Sequence, residues 1–286
     1  MNFNKKIADK MVNPLGIGTW MIGGGIYLES KTTYATYGNE EEEVKAIRYS
    51  IAQGQNHIDT AQMYGAGHTE EVVGQAIEGL DRNKLFIASK VWKSHATRLA
   101  VPHAIQDMLK RMRTDYLDLV YIHAPFPELE MEEYIHGLND ALDQGLIKNI
   151  GVSNFTFDQL KQAVSLSKHP ISALQNHFNL LYKAEFPADL RRYCITNNIA
   201  MVAYRPLGRK LLADECQNEV LLNMAKKYGK TPAQVALNWL ISQNGFYAIP
   251  KALKLEDIKE NMAALEFEIS QDDLEILNML PDETQK

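Results

Sequence analysis

Asp59, Tyr64, Lys90 and His123 have side chains that could together run proton-coupled chemistry. Tyr64 stands five positions after Asp59, while Lys90 and His123 each end a short apolar run, Leu85-Phe86-Ile87-Ala88-Ser89 and Leu119-Val120-Tyr121-Ile122. An ammonium at the end of a buried strand is costly unless a carboxylate compensates it, so Lys90 calls for a partner such as Asp59. Such a pair beside a phenol tunes a proton donor: the cation favours phenolate and draws the tyrosine pKa down from about 10. The stretch Met63-Tyr64-Gly65-Ala66-Gly67 predicts that this phenol rides on a mobile, glycine-flanked turn. Taken singly, Asp59 is more often a turn or helix cap, Lys90 a surface lysine, His123 a satisfied core histidine and Tyr64 a rim tyrosine. The set is what points to a site.

Something must bring these residues together. Short β-branched runs at 15–18, 56–59, 85–91, 117–123, 147–152, 173–176, 200–204 and 246–249 alternate with segments of helical period at 40–53, 69–79, 96–112, 130–144, 156–167, 185–197, 217–243 and 256–264. A last helix is read at 271–280. Thr231 followed by Pro232 has the form of an N-cap with proline at the first helical position, so the long seventh segment is predicted to break near Gly229. Eight strands alternating with eight helical units, and no Pro- or Ser-rich linker, predict an α/β chain: a single (β/α)8 TIM barrel spanning residues 1–286 as one domain. A doubly wound dinucleotide-binding sheet is the other candidate. It would need GxGxxG at a strand-to-helix turn, and Gly16, Gly18, Gly23, Gly24 and Gly25 have the wrong spacing, reading instead as a loop.

In such a barrel the loops after the C-terminal ends of the strands form the open face where chemistry takes place. The strand ends carry Asp59, Lys90, His123, Ser153 with Asn154, Gln175, Tyr204 with Arg205, and Lys251. These polar groups are predicted to converge on one pocket.

Composition narrows the partners. A formal charge of -6, with 36 acidic residues scattered among 30 Lys and Arg, provides no basic footprint for nucleic acid. Cys194 and Cys216 form no CxxC pair and lie near no histidine cluster, so neither a disulfide framework nor a metal site is indicated. No apolar run of about 18 residues occurs, and the polar start MNFNKKIADKMVNPLG lacks a signal-peptide core. The expectation is a cytoplasmic protein without membrane partners.

At these same residues the chain resembles the aldo-keto reductases, as a short bacterial-type member, from Gly16 to about Leu280. The resemblance rests on Ile58-Asp59-Thr60-Ala61-x-x-Tyr64-Gly65, Glu70-Glu71-x-Val73-Gly74, Ser89-Lys90-Val91, and Asp115-Tyr116-Leu117-Asp118-Leu119 running into Ile122-His123. Gly151-Val152-Ser153-Asn154-Phe155, Ala203-Tyr204-x-Pro206-Leu207-Gly208 and Ile249-Pro250-Lys251 add to it in the same order. It implies NAD(P)H-dependent reduction of small aldehydes or ketones, with Tyr64 as proton donor, Lys90 and Asp59 tuning it, and His123 orienting the carbonyl. It also implies cofactor contacts from Gly18, Thr19, Ser153, Asn154, Gln175, Leu207, Lys251, Asp257 and Asn261, a stacking ring in Tyr204, and pocket walls in Trp20 and Trp92. No metal is implied.

The chain departs from the family pattern in places. Where many members have a serine and an arginine for the 2′-phosphate of NADPH, Ala252 and Asp257 stand here; Lys251, Lys254 and Lys259 are the remaining cations. NADP(H) is favoured over NAD(H), which stays open. Arg205 replaces a small residue and lies either along the cofactor pyrophosphate or in a structural salt bridge. Ala124 in place of a bulky tryptophan, and a short C-terminus, predict an open pocket for small polar aldehydes or dicarbonyls. Two other readings share these residues: a nucleotide-binding regulatory subunit with little turnover, and a sugar or alcohol dehydrogenase working in the oxidative direction. A monomer or small homo-oligomer is expected.

Overall fold

A computed structural model describes residues 5–24 and 39–282. Gly25 of the glycine cluster lies outside the described residues, as do the first four and last four positions. Two three-residue strands, β1 (Lys5–Ile7) and β2 (Lys10–Val12), form an antiparallel hairpin. Eight strands follow: β3 (Ile17–Gly18), β4 (His57–Asp59), β5 (Phe86–Val91), β6 (Leu119–Ile122), β7 (Ile150–Ser153), β8 (Ile171–His177), β9 (Ala200–Tyr204) and β10 (Phe246–Ala248). They pair parallel and in chain order. The sheet closes on itself where Leu15 bridges Ala248, with Gly16 N donating to Ala248 O and Ala248 N to Pro14 O, both at 2.8 Å. This is the (β/α)8 barrel expected from the eight apolar runs.

The outer layer consists of α1 (Glu40–Ala52), α2 (His68–Ile77), α3 (Ala100–Met112), α4 (Met131–Asp143), α5 (Phe157–Leu166), α6 (Ala188–Thr196), α7 (Glu219–Tyr228), α8 (Pro232–Ser242), α9 (Leu255–Met262) and α10 (Gln271–Asn278). The long seventh segment breaks as expected. Gly229 ends α7 at φ 62, and Thr231 with Gln234 forms a reciprocal capping box ahead of Pro232. Two of the predicted helices start late: α3 begins at Ala100 rather than 96, and α6 at Ala188 because Pro187 occupies its N-cap in an extended conformation.

Apolar side chains separate into two layers. One, including Val72, Met108, Leu138 and Leu237, lies between strands and helices; the other, with Phe86, Leu119, Tyr121, Val202 and Tyr247, fills the barrel. Ile7 and Val12 of the hairpin belong to the inner layer and plug the barrel at the N-terminal ends of its strands. Lys5 Nζ donates to Gln243 O at 2.8 Å and Phe246 O at 2.9 Å, and Lys10 Nζ meets Asp118 at 2.6 Å. Burial brings the Lys5 ammonium down to about 8. The hairpin leaves no mark in the sequence pattern, because three residues per strand are too few for an alternation to register. Among the described residues no helix is long and apolar enough to cross a membrane.

Candidate active site

The C-terminal strand ends supply the polar groups, as the barrel geometry requires. Asp59 ends β4 and Lys90 stands next to last in β5, and parallel pairing of Asp59 with Ala88 sets the two side by side. Lys90 Nζ meets Asp59 Oδ1 at 2.5 Å and donates to Thr60 O at 2.8 Å; the two side chains are 1% and 2% exposed. Burial pulls the Lys90 pKa down and Asp59 opposes it. The carboxylate demanded by the sequence is present.

The other oxygen of Asp59 is also held: Gln175 Nε2, from β8, donates to Asp59 Oδ2 at 2.7 Å. Gln175, expected among the cofactor contacts, lines the cavity and has its NH2 on Asp59, an arrangement that sequence spacing of more than a hundred residues could not reveal.

Tyr64 follows β4 on a loop whose next three residues, Gly65, Ala66 and Gly67, all have left-handed φ of 55, 54 and 96. Only glycine takes up this conformation without strain. A Cβ at Gly65 would lie 2.7 Å from Gly23 O, and one at Gly67 3.0 Å from the Arg111 side chain. The turn expected to be mobile is thus packed from both sides. Beneath it, Arg111 Nε donates to Glu70 at 2.7 Å and Ser89 Oγ to the same carboxylate at 2.6 Å, tying α2 to α3 and to the strand that carries Lys90.

Lys90 Nζ lies 5.4 Å from the centre of the Tyr64 ring. The phenol pKa is nevertheless raised, first by burial, then by the Asp59 charge, with Arg205 opposing. This corrects the depressed value expected from the sequence. The Lys90 charge is largely balanced by Asp59, so desolvation of the phenolate dominates. His123 stacks edge-on to Tyr64 at 5.9 Å and to Trp92 at 5.2 Å. Burial, then Lys90, hold its imidazole well below the usual value, so it is neutral with one N–H to offer.

These groups open onto a cavity of 590 Å³. Asp59, Tyr64 and His123 line it, with Lys90 behind Asp59; so do Gly18, Thr19, Trp20, Trp92, Ser153, Asn154, Gln175, Tyr204, Arg205, Leu207 and Lys251. Asp257 and Asn261 do not. Asp257 is exposed in the first turn of α9, and Asn261 is buried at the end of that helix. Asn154, at φ 62, donates from Nδ2 to His123 O at 2.8 Å and accepts from the Tyr204 hydroxyl at 2.8 Å. Tyr204 is backed by His177, the rings 5.4 Å apart and 14° from parallel.

The profile of the Aldo/keto reductase family matches residues 14–281. The chain belongs to this family. Similar proteins include methylglyoxal reductase YeaE of Escherichia coli, 32% identical over 95% of this chain and 92% of its own length, and a glyoxal reductase of Bacillus subtilis, 35% identical over 85% and 84%. Among solved structures, a thermostable aldo-keto reductase in complex with the inhibitor epalrestat superposes with a TM-score of 0.88 at 38% identity, covering 95% of this chain and 96% of that one. An aldo-keto reductase of Klebsiella pneumoniae in complex with NADPH gives 0.82 at 32%, covering 96% and 93%.

For an aldo/keto reductase the cavity has further notable walls. Arg209 and Lys210 line it, and sequence reasoning misses both. Their signal was readable as two cations directly after Leu207-Gly208, on the loop that follows β9. Arg205, Arg209, Lys210 and Lys251 form no ion pair among the described residues. Arg209, Lys210 and Lys251, the last also within the field of Glu43, fit a polyanionic nucleotide cofactor.

Proposed function

We propose that this aldo/keto reductase is an NADP(H)-dependent reductase of small aldehydes and ketones, working as one barrel domain. The observation that carries the reading is the meeting of Tyr64, neutral His123 and the buried Lys90–Asp59 pair at one face of the cavity. NADP(H) is supported by Arg209, Lys210 and Lys251 in the cavity wall and by the Klebsiella relative's complex with NADPH. Small dicarbonyls are supported by the methylglyoxal and glyoxal reductases among its relatives and by the small Ala124 at the pocket wall.

When bound, the reduced nicotinamide supplies the hydride. Tyr204 would lie under its ring, held by Asn154 and backed by His177, while Ser153 lines the cavity beside it. His123 would donate its single N–H to the substrate oxygen and fix the carbonyl, with Trp20 and Trp92 as walls. Tyr64 remains protonated at neutral pH, because burial disfavours its anion, and so holds a proton for the developing alkoxide. As the Tyr64 O–H bond breaks, the Lys90 ammonium offsets the charge left on the phenol. A cytoplasmic monomer or small homo-oligomer suits this role. The test is NADPH oxidation with methylglyoxal, glyoxal and simple aldehydes; cofactor binding without turnover of any of them would sink the reading.

A further inference from the structure

We propose that Arg205 selects carbonyl substrates that carry a carboxylate. The inference rests on the reductase reading and names the substrate class of that same cavity.

Arg205 immediately follows β9, with a left-handed φ of 50. Its carbonyl accepts from Asn179 Nδ2 at 3.1 Å and from Gly208 N at 3.0 Å, so the backbone that aims the side chain is anchored. The guanidinium lies 5.7 Å over the Trp20 ring and 6.0 Å from the Tyr204 ring. It therefore lies within cation–π reach of both Trp20 and Tyr204 at the cavity wall. Its charge is also felt at the Tyr64 phenol, where it opposes the upward push of burial.

The charge balance of the cavity points the same way. Among the described lining residues Asp59 is the single acid, and both its oxygens are committed, to Lys90 and to Gln175. Among the described lining residues, no other acid is available to neutralise Arg205. An exposed guanidinium stacked on an aromatic face keeps its planar fork of donors free, and that fork matches a carboxylate bidentately. The same chemistry would suit a cofactor phosphate. Arg209, Lys210 and Lys251 line the same cavity and can serve phosphate as point charges. Among the described residues, Arg205 is the cation that rests on Trp20. A small aldehyde or ketone with an acid group would place its carbonyl at Tyr64 and His123 and its carboxylate on Arg205. The carboxylate takes no part in the hydride and proton transfer.

The test compares succinic semialdehyde with its methyl ester, with NADPH as cofactor, in the wild type, Arg205→Gln and Arg205→Lys. The quantity read is the acid-to-ester ratio of kcat/KM, alongside the Kd for NADPH from fluorescence titration. The wild type is expected to favour the acid. Arg205→Gln should lower the ratio about 10- to 100-fold, the scale of one hydrogen-bonded charge contact, and Arg205→Lys should restore part of it. A ratio unchanged by substitution overturns the proposal. If NADPH binding then weakens and both substrates slow together, Arg205 serves the cofactor phosphate instead. Ester reduction by the wild type checks the reductase reading separately: turnover of the ester without discrimination sinks only the role of Arg205, and turnover of neither substrate sinks both.

Discussion

Gln175 Nε2 donates to Asp59 Oδ2 at 2.7 Å, joining β8 to β4 across the barrel mouth. With Lys90 on Oδ1, both oxygens of a carboxylate that is 2% exposed are held in place. An ionised carboxylate only accepts hydrogen bonds, so the amide must present its NH2 end to Asp59.

Replacing Gln175 by Leu is expected to lower kcat by about 10- to 100-fold, the cost of a hydrogen bond to a charged group left unmade. Gln175→Glu sets a second carboxylate against Asp59. The pair would share a proton and the variant should gain activity as pH falls. A pH–rate profile for Gln175→Glu that matches the wild type would show that the bond has no bearing on catalysis.

Tyr64→Phe removes the phenolic proton proposed to reach the substrate oxygen and keeps the ring against His123. Loss of general acid catalysis should reduce kcat by about 10²- to 10⁴-fold, with the NADPH Kd changed only a few-fold. Single-turnover rates with wild-type speed would rule out Tyr64 as the donor.

Lys90→Met strands Asp59 without its cation in a nearly water-free site. Breaking one half of such a pair costs about 3–5 kcal/mol, whereas replacing both halves is often close to neutral. Urea unfolding should therefore find Asp59→Asn/Lys90→Met more stable than Lys90→Met alone. The reverse order would mean that the pair is not the main electrostatic partner of either residue.

His57 is fully buried among Phe86 and Tyr247, with neither ring nitrogen hydrogen-bonded, and burial lowers its pKa to about 4. The unfolded chain takes up this proton as pH falls below about 6.5, and the folded chain does so only near 4. Its stabilising contribution is thus complete above pH 6.5 and is lost between 6.5 and 4, amounting to roughly 3 kcal/mol. His57→Gln cannot take up the proton and should flatten this part of a urea-stability profile. An equally steep loss in the variant would assign the effect to other groups.

Asp257, exposed on the first turn of α9, stands where many family members place an arginine for the 2′-phosphate. Asp257→Arg is expected to raise the NADPH-over-NADH ratio of kcat/KM about 5- to 10-fold, on the scale of an exposed charge contact. An unchanged ratio would place the 2′ position away from this helix, consistent with the absence of Asp257 from the cavity wall.

The sequence by itself determined the barrel and which strand ends meet at its open face. Eight β-branched runs alternate with helical periods, and in a parallel barrel every strand end faces the same way, so Asp59, Lys90 and His123 could be placed together from chain order alone. The break at Gly229 was legible because caps are local chemistry. Only the tertiary structure decided what depends on distance and desolvation. The hairpin plug carries too few residues to show a period, Gln175 meets Asp59 from more than a hundred positions away, and the Tyr64 pKa rises where the residue types alone pointed down. Residue type tells which charges are available; how far each is compensated and dehydrated is set by packing, and here packing outweighs the cation beside the phenol.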